Sequence, residues 1–225
     1  MKTQNSAYGR LLYKDNPFTF DAKFVIPLIL REMEQLKILL EYHGHGWSDN
    51  SGLYEYRRIN RLREYLDRAY ALAVPSYTLS PEEERAKRFD ERLPDIQRIT
   101  LDIIPFFSLG SCYEVSFKGE TAVVKQSNSF KDSENVWTAS KEDFLNSLHN
   151  LYIGEWLPTY FNYMVCDGIR WAAEFQYTGG DSCLFYGCNG YPYNFHGFVR
   201  LLDSGQGEID THVDGMHGIR RDSAE

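Results

Sequence analysis

The strongest constraint on the fold of this chain is an Asp-Gly pair, Asp167-Gly168, that stands between two apolar runs. A type I′ turn needs positive φ at both central residues, and Asp-Gly adopts that conformation at low cost. The sequence therefore predicts a two-residue hairpin that joins strands at Tyr163–Cys166 and Ile169–Tyr177. In the second strand, apolar side chains alternate with mostly polar ones, which indicates one buried face and one wet face.

The same pattern continues into a third predicted strand. Gly179-Gly180-Asp181 is a turn signal, and Ser182–Tyr186 is a short run of strand-forming residues that follows it. We therefore expect a three-stranded antiparallel meander with one face in water. Asn194 is a good N-cap residue, and apolar residues at helical spacing predict a short helix over Phe195–Leu202 that ends before Gly205.

Several features of this region occur together in a known module. They are the Asp167-Gly168 turn, Trp171, the segment Tyr186–Phe195, which reads Tyr-Gly-x-Asn-x-Tyr-Pro-x-Asn-Phe, and the upstream segment Lys141–Trp156. The combination resembles a module of uncharacterised bacterial proteins and covers Thr138–Leu202. The resemblance implies no activity, because none is assigned to that module. The chain departs from the pattern at Gly190, where the module typically has Ala, and we expect this glycine to loosen the turn.

Composition indicates a globular protein with an acidic surface. Of the 225 residues, 43% are hydrophobic and 15% are aromatic, and the formal net charge is −8. Such a chain can bury a sizeable core in one or two domains, which excludes a disordered protein. Nucleic acid needs a positive surface, so we expect no free nucleic acid as a partner and instead another protein with a basic surface.

Neither a membrane segment nor a disulfide framework is predicted. The longest apolar run, Phe24–Leu30, is far too short to cross a bilayer, and the N-terminus has no leader pattern. We therefore expect a cytoplasmic protein with no membrane contact. The four cysteines lack C-x-x-C spacing, which favours reduced, apolar-acting thiols over a disulfide or a zinc site.

The first 95 residues show helical patterns. An apolar stripe from about Phe20 to Tyr42 predicts a helix; since proline is tolerated only in a first turn, Pro27 implies that the helix proper begins near Ile26 or kinks there. A second stripe predicts a helix over Leu53–Val74. Ser80–Glu83 reads Ser-Pro-Glu-Glu, a capping box with proline at the first helical position, which predicts a third, solvated and very polar helix.

Strand-forming residues become frequent after residue 95. Strands are predicted over Ile96–Phe107 and, as a hairpin, over Cys112–Phe117 and Thr121–Lys125, followed by a polar loop over Ser127–Asn135. Ser140 is predicted to cap a helix with apolar residues on one side.

These elements predict an α+β fold, because a run of helices precedes a run of antiparallel strands. We expect a mainly antiparallel sheet of five or six strands, with the Ser140 and Phe195 helices packed on its apolar face. The predicted division is a mostly helical N-terminal lobe (1–95), a sheet module with helices (96–204) and a mobile tail (205–225).

Three groups of residues are candidate sites. His43, His45 and Asp49 lie in a glycine-rich loop and are ligands that a transition metal accepts, although the set is incomplete and His43 can simply offset a helix dipole. Arg57, Arg61 and Arg68 fall near one face of the second helix, as a phosphate or nucleotide site requires; ion pairs with interleaved acidic residues are the simpler account.

The third group could form a protein-binding surface. Its members are aromatic and amide residues in and near the Tyr-Pro turn: Trp156, Asn189, Tyr191, Tyr193 and Asn194. Aromatic residues are enriched at protein interfaces. The alternative is that these residues form the turn and part of the core, since Asn tolerates left-handed φ.

The chain carries no P-loop, dinucleotide-binding or nucleophile-elbow motif, so we expect no catalytic residues and no cofactor. The leading hypothesis is a non-catalytic cytosolic protein-binding factor, by analogy with immunity- or defence-related inhibitors of other proteins. The alternative is an enzyme or sensor that binds a nucleotide or another phosphorylated small ligand through Arg57, Arg61 and Arg68. The sequence leaves the oligomeric state open.

Overall fold

The computed structural model of the protein describes residues 22–42, 53–73, 77–106, 110–128, 131–164 and 168–204. The helices are α1 (Ala22–Tyr42), α2 (Leu53–Ala73), α3 (Pro81–Glu91), α4 (Lys141–Asn150) and α5 (Phe195–Ser204). The strands are β1 (Ile96–Pro105), β2 (Ser111–Lys118), β3 (Thr121–Asn128), β4 (Lys131–Ser140), β5 (Thr159–Phe161), β6 (Ile169–Tyr177) and β7 (Ser182–Cys188). Short 3₁₀ turns occupy Leu93–Asp95 and Ile153–Glu155.

The described strands form one sheet in the order β4-β3-β2-β1-β6-β7-β5. Neighbouring strands are antiparallel except β5 and β7, which are parallel. The predicted α+β class is confirmed. The sheet is mainly antiparallel, as predicted, but it has seven strands rather than five or six, and the β5–β7 pair makes it mixed. The two unpredicted strands, β4 and β5, lie at opposite edges, where side-chain patterns are weakest.

The segment Ser127–Asn135 is not the predicted polar loop. β3 continues to Asn128, and β4 pairs with β3 from Lys131 to Ser140. The described side chains of β4 are mostly exposed, so its sequence has no strong apolar alternation. Backbone pairing with β3 makes β4 a strand, and such pairing imposes little pattern on the side-chain sequence of an edge strand.

The predicted hairpin of Tyr163–Cys166 with β6 is not formed. β6 pairs with β1 along one edge and with β7 along the other, so neither edge is available to the preceding segment. Tyr163 and Met164 lie in a turn after β5, and residues 165–167 lie outside the described part of the chain. An Asp-Gly pair signals a local reversal, but the partner of a central strand is decided by apolar contact across the whole sheet.

The rest of the predicted meander is confirmed. β6 has the predicted bounds, and its odd-numbered residues from Trp171 to Tyr177 are buried. Gly179 and Gly180 turn the chain into β7 with φ of +108° and +91°, a backbone region that favours glycine.

Three helices, rather than the two predicted, cover the apolar face of the sheet. Side chains of α4 and α5 join the inner face in one buried core, as predicted. α3 also contributes, since the ring of Phe89 packs edge-on against Phe175 and Phe185 at centroid distances of 5.1 and 6.2 Å. The predicted solvated helix is thus anchored by one apolar residue that its polar composition hides.

Helices α1 and α2 pack on each other around a second apolar core. α1 begins at Ala22 and Pro27 lies inside it, so of the two predicted alternatives the start near Ile26 is wrong and the kink at Pro27 stays a prediction. The core on its buried side holds the helix together despite the backbone hydrogen bond that proline cannot donate. None of the helices in the described ranges is long and apolar enough to cross a membrane. The proposed boundary at residue 95 stays a prediction.

Candidate functional site

The predicted protein-binding residues Trp156 and Asn194 lie in the core. Trp156 is 0% exposed and Asn194 2% exposed. The indole N–H of Trp156 donates to Oδ1 of Asn194 at 2.6 Å, and the amide group of Asn194 donates to the carbonyl oxygen of Leu151. Asn194 therefore connects the end of α4 to the start of α5 through its side chain, whereas the sequence predicted an N-cap.

The other members of this group hold the turn before α5. Asn189 adopts a left-handed backbone with φ of +58°, and its Oδ1 accepts the backbone N–H of Ile169 at 2.8 Å. The ring of Tyr191 packs against Phe195, and Tyr193 is buried. A side chain on Gly190 would come within 2.9 Å of the Phe161 backbone nitrogen, so this glycine permits a close approach to β5. The structure thus gives Gly190 a packing role, whereas the sequence predicts only that it loosens the turn.

The arginines predicted to bind phosphate lie on an exposed face of α2. Arg57, Arg61 and Arg68 are all exposed. The buried arginines of this helix are Arg58 and Arg63, which the sequence did not single out. Arg58 pairs with Glu32 and Arg63 with Glu155, both at 2.6 Å.

An open cleft of about 410 Å³ lies between the end of α3 and one side of α4. Asp90 and His149 face each other there, with Oδ1 of Asp90 3.7 Å from Nδ1 of His149. Burial raises the pKa of Asp90 to about 6, although His149 acts in the opposite direction. The cleft also contains Glu120, Lys141 and Glu142, so its lining carries charges of both signs.

The most exposed apolar side chains of the described chain lie near β5. Tyr163 and Met164 are 87% and 90% exposed, and Phe161 and Tyr186 are 45% and 43% exposed. The ring of Phe161 stacks on Tyr163 at 5.7 Å and meets Tyr186 edge-on at 5.8 Å. These rings form a continuous surface on the face of the sheet opposite the helices, since Tyr160 and Phe185 beside them point inward.

The exposed surface continues across the sheet. Strand register places Phe161, Cys188, Arg170 and Ile104 in one row over β5, β7, β6 and β1. The Arg170 guanidinium lies over the exposed Phe106 ring at 5.1 Å. Three strand spacings give this row a length of about 14 Å. We call the set the outer aromatic patch: Ile104, Phe106, Phe161, Tyr163, Met164, Arg170 and Tyr186.

Part of this patch could have been found in the sequence. Alternation in β7 places Tyr186 opposite the buried Phe185, so an outward-facing ring was predictable from period-two patterning. Phe161 and Tyr163 could not be found in this way, because β5 is three residues long.

No metal site is assigned in the described residues, where no group of three His, Cys, Asp or Glu side chains could hold an ion. His43, His45 and Asp49 lie outside the described residues, so that predicted site stays a prediction.

No protein-family model, curated protein or solved structure matches this chain. The resemblance to the bacterial module therefore also stays a prediction.

Proposed function

We propose that this protein is a non-catalytic factor that binds another protein through the outer aromatic patch. The observation that carries the proposal is the exposed stack of Phe161 and Tyr163 beside Tyr186. Protein interfaces are enriched in Tyr, Phe, Met and Arg, and the patch consists largely of these residue types. Exposed apolar patches on soluble proteins commonly mark interaction sites, because apolar rings that stay in water do not stabilise the folded monomer.

The position of the patch suits binding by a folded partner. It lies on the face of the sheet opposite the three covering helices, so the strands hold the Phe161 and Tyr186 rings on a rigid support. A rigid aromatic surface loses little conformational entropy on binding, because few rotamers have to be fixed.

Charge supports a partner with a basic surface. The chain carries a net charge of −8, and Asp102 and Glu174 lie on the same sheet face as the patch. Long-range attraction of this sign raises the association rate and falls with salt. By analogy, an acidic protein that covers a basic functional surface acts as an inhibitor, as immunity and defence factors do.

The proposal is tested by crosslinking in the native host. A photoreactive phenylalanine analogue replaces Tyr163 in one strain and Tyr54, an exposed tyrosine on α2, in the control strain. We expect one partner to be captured at position 163 and not at position 54. The captured protein is then purified and titrated against wild-type protein and against a Phe161→Ser/Tyr186→Ser variant.

Removal of two rings at a hot spot should weaken binding at least about 30-fold, the factor that corresponds to 2 kcal/mol. The matched control, Tyr54→Ser/Leu72→Ser, removes two exposed apolar side chains of α2 and should leave the affinity unchanged. Unchanged affinity in the patch variant would refute the assignment of the surface. Crosslinks to a second copy of the chain would show that the patch is a homodimer interface.

A second candidate function is the binding of a small ligand, as an enzyme or a sensor. The observation in its favour is the cleft where Asp90 faces His149, rather than the exposed arginine face of α2. Nucleotide binding through Arg57, Arg61 and Arg68 stays a prediction. A thermal-shift screen separates the two sites: stabilisation by nucleotides that is lost in Arg61→Ala supports the arginine face, and stabilisation lost only in His149→Ala supports the cleft.

A further inference from the structure

The helix pair α1–α2 is tied to the rest of the protein by a partly buried polar group, which we call the Arg63 cluster: Lys37, Arg63, Tyr152, Glu155 and Tyr193. The Arg63 guanidinium donates two hydrogen bonds to the Glu155 carboxylate, at 2.6 and 2.8 Å, and one to the Tyr193 hydroxyl at 2.7 Å. It also lies 3.4 Å from the centre of the Tyr152 ring. The Lys37 ammonium is 2.8 Å from the same carboxylate. The Glu155 carboxylate therefore forms ion pairs with one cation from α1 and one from α2.

The apolar cores on the two sides of this cluster are separate. In the described part of the chain, the core between α1 and α2 takes one fully buried residue from outside the pair, Tyr193, with half-buried Tyr77 at its margin. The core of the sheet and its three covering helices contains no described residue of α1 or α2. Burial of apolar surface, the main stabilising term, is thus mostly internal to each part.

Two further contacts between the parts are also polar. The Tyr56 hydroxyl donates to the backbone carbonyl of Tyr193, and the Tyr70 hydroxyl donates to Glu83 at the start of α3. Polar contacts contribute little net free energy, because water replaces them when the surfaces separate. The joint is therefore weaker than the cores on either side.

Glu155 is the residue on which the joint depends. Burial acts to raise its pKa, but Arg63 and Lys37 outweigh burial and lower the pKa to about 2. The carboxylate is therefore charged at neutral pH and compensates two cations that are themselves largely shielded from water. Removing one member of such a group leaves an uncompensated buried charge, which is far more costly than separating all members into water.

We propose that α1–α2 is a lid that detaches and loses its helical structure as one unit, and that the Arg63 cluster is the latch that holds it closed. Opening uncovers Tyr193 and the Glu155 carboxylate, and it leaves the core of the sheet intact. Segments with few apolar contacts to their surroundings open below the free energy of global unfolding. The lid is independent of the proposed partner-binding role, because the outer aromatic patch lies on the opposite face of the sheet from the covering helices.

Hydrogen exchange of the wild-type protein in low, increasing urea is the first test. We expect the amides of α1 and α2 to exchange through an opening of lower free energy than the amides of β1 and β6. The two sets should converge on one value only near the global transition. A single free energy for all four elements at every urea concentration would overturn the proposal.

Substitution of Glu155 tests the latch. Glu155→Gln keeps the shape and removes the charge, and we expect exchange in α1 and α2 to accelerate about 100-fold or more while β1 and β6 are unchanged. Glu91→Gln, at an exposed glutamate of α3, is the matched control and should change neither set. Replacing all three charged members, as Lys37→Met/Arg63→Met/Glu155→Leu, should restore much of the protection, since no unpaired charge remains in the cluster. Equal acceleration in all four elements, or none in α1 and α2, would refute the latch.

Discussion

Replacing Asn194 by alanine should destabilise the protein strongly, because this side chain satisfies two buried groups at once. Its Oδ1 accepts the indole N–H of Trp156 at 2.6 Å, and its amide donates to the carbonyl oxygen of Leu151. Both bonds are buried, so water cannot replace the lost partner. Each buried polar group left without a partner costs roughly 1–3 kcal/mol. The expected loss in the free energy of unfolding is therefore about 2–6 kcal/mol, a large share of the roughly 5–15 kcal/mol that domains possess.

The assay is equilibrium urea unfolding followed by circular dichroism. With a slope of about 2–3 kcal/mol per M urea, the midpoint should fall by about 0.7–3 M. Asn135→Ala is the matched control, since this asparagine is exposed on β4, and its midpoint should shift by less than about 0.2 M. A loss below 1 kcal/mol in Asn194→Ala would refute the reasoning.

A double-mutant cycle then attributes the loss to the indole hydrogen bond. Trp156→Phe removes the N–H donor, so the cost of Asn194→Ala should be smaller in the Trp156→Phe background by roughly 1 kcal/mol or more. Additive costs would show that Asn194 stabilises the fold by another route. The same variants test the role predicted from the sequence, because a structural Asn194 alters the amount of folded protein and not the affinity of the folded fraction for a partner.

Three further predictions concern local features. Burial raises the pKa of Glu41 to about 7, with Glu34 acting in the same direction, so the folded state binds more protons than the unfolded state and the free energy of unfolding should fall as pH rises from about 4.5 to 7. Glu41→Gln should reduce this pH dependence in urea titrations, and an unchanged pH dependence would contradict the prediction. Gly187→Ala should cost about 1–3 kcal/mol, because the new methyl group would lie 2.3 Å from Nε1 of Trp171, whereas exposed Ser182→Ala on the same strand should be neutral in thermal melts. Ser80→Ala should cost about 1 kcal/mol by removing the acceptor of the Glu83 N–H in the capping box, and Ser80→Thr should retain most of it; equal melting temperatures of the two variants would argue against the cap.

The accuracy of sequence reasoning depended on whether a feature was local. The capping box at Ser80, the turn at Gly179-Gly180 and the alternation in β6 each involve residues that are close in sequence, and all three are present in the structure. The edge strands β4 and β5 were missed because their pairing partners, rather than their own side chains, make them strands.

The candidate sites followed the same division. Residue type left Trp156 and Asn194 open as a protein-binding surface or as part of the core, and their contact with each other lies in the core. Residue type passed over Arg63 and Glu155, which lie far apart in the sequence and form a bidentate ion pair at a buried joint. The outer aromatic patch combines side chains of four strands and two turns, and among them period-two alternation marked only Arg170 and Tyr186 as facing outward.

The sequence by itself determined the α+β class, the positions of the five described helices to within a few residues, and the buried face of β6, since these follow from local propensity and from periodicity along one element. Tertiary structure decided strand order, the mixed sheet, the third covering helix, and which arginines and aromatic rings are buried. The physical reason is that burial and pairing energies depend on which segments meet across the fold. The sequence of one segment specifies the spacing of its own apolar residues, but it does not specify which other segment it packs against.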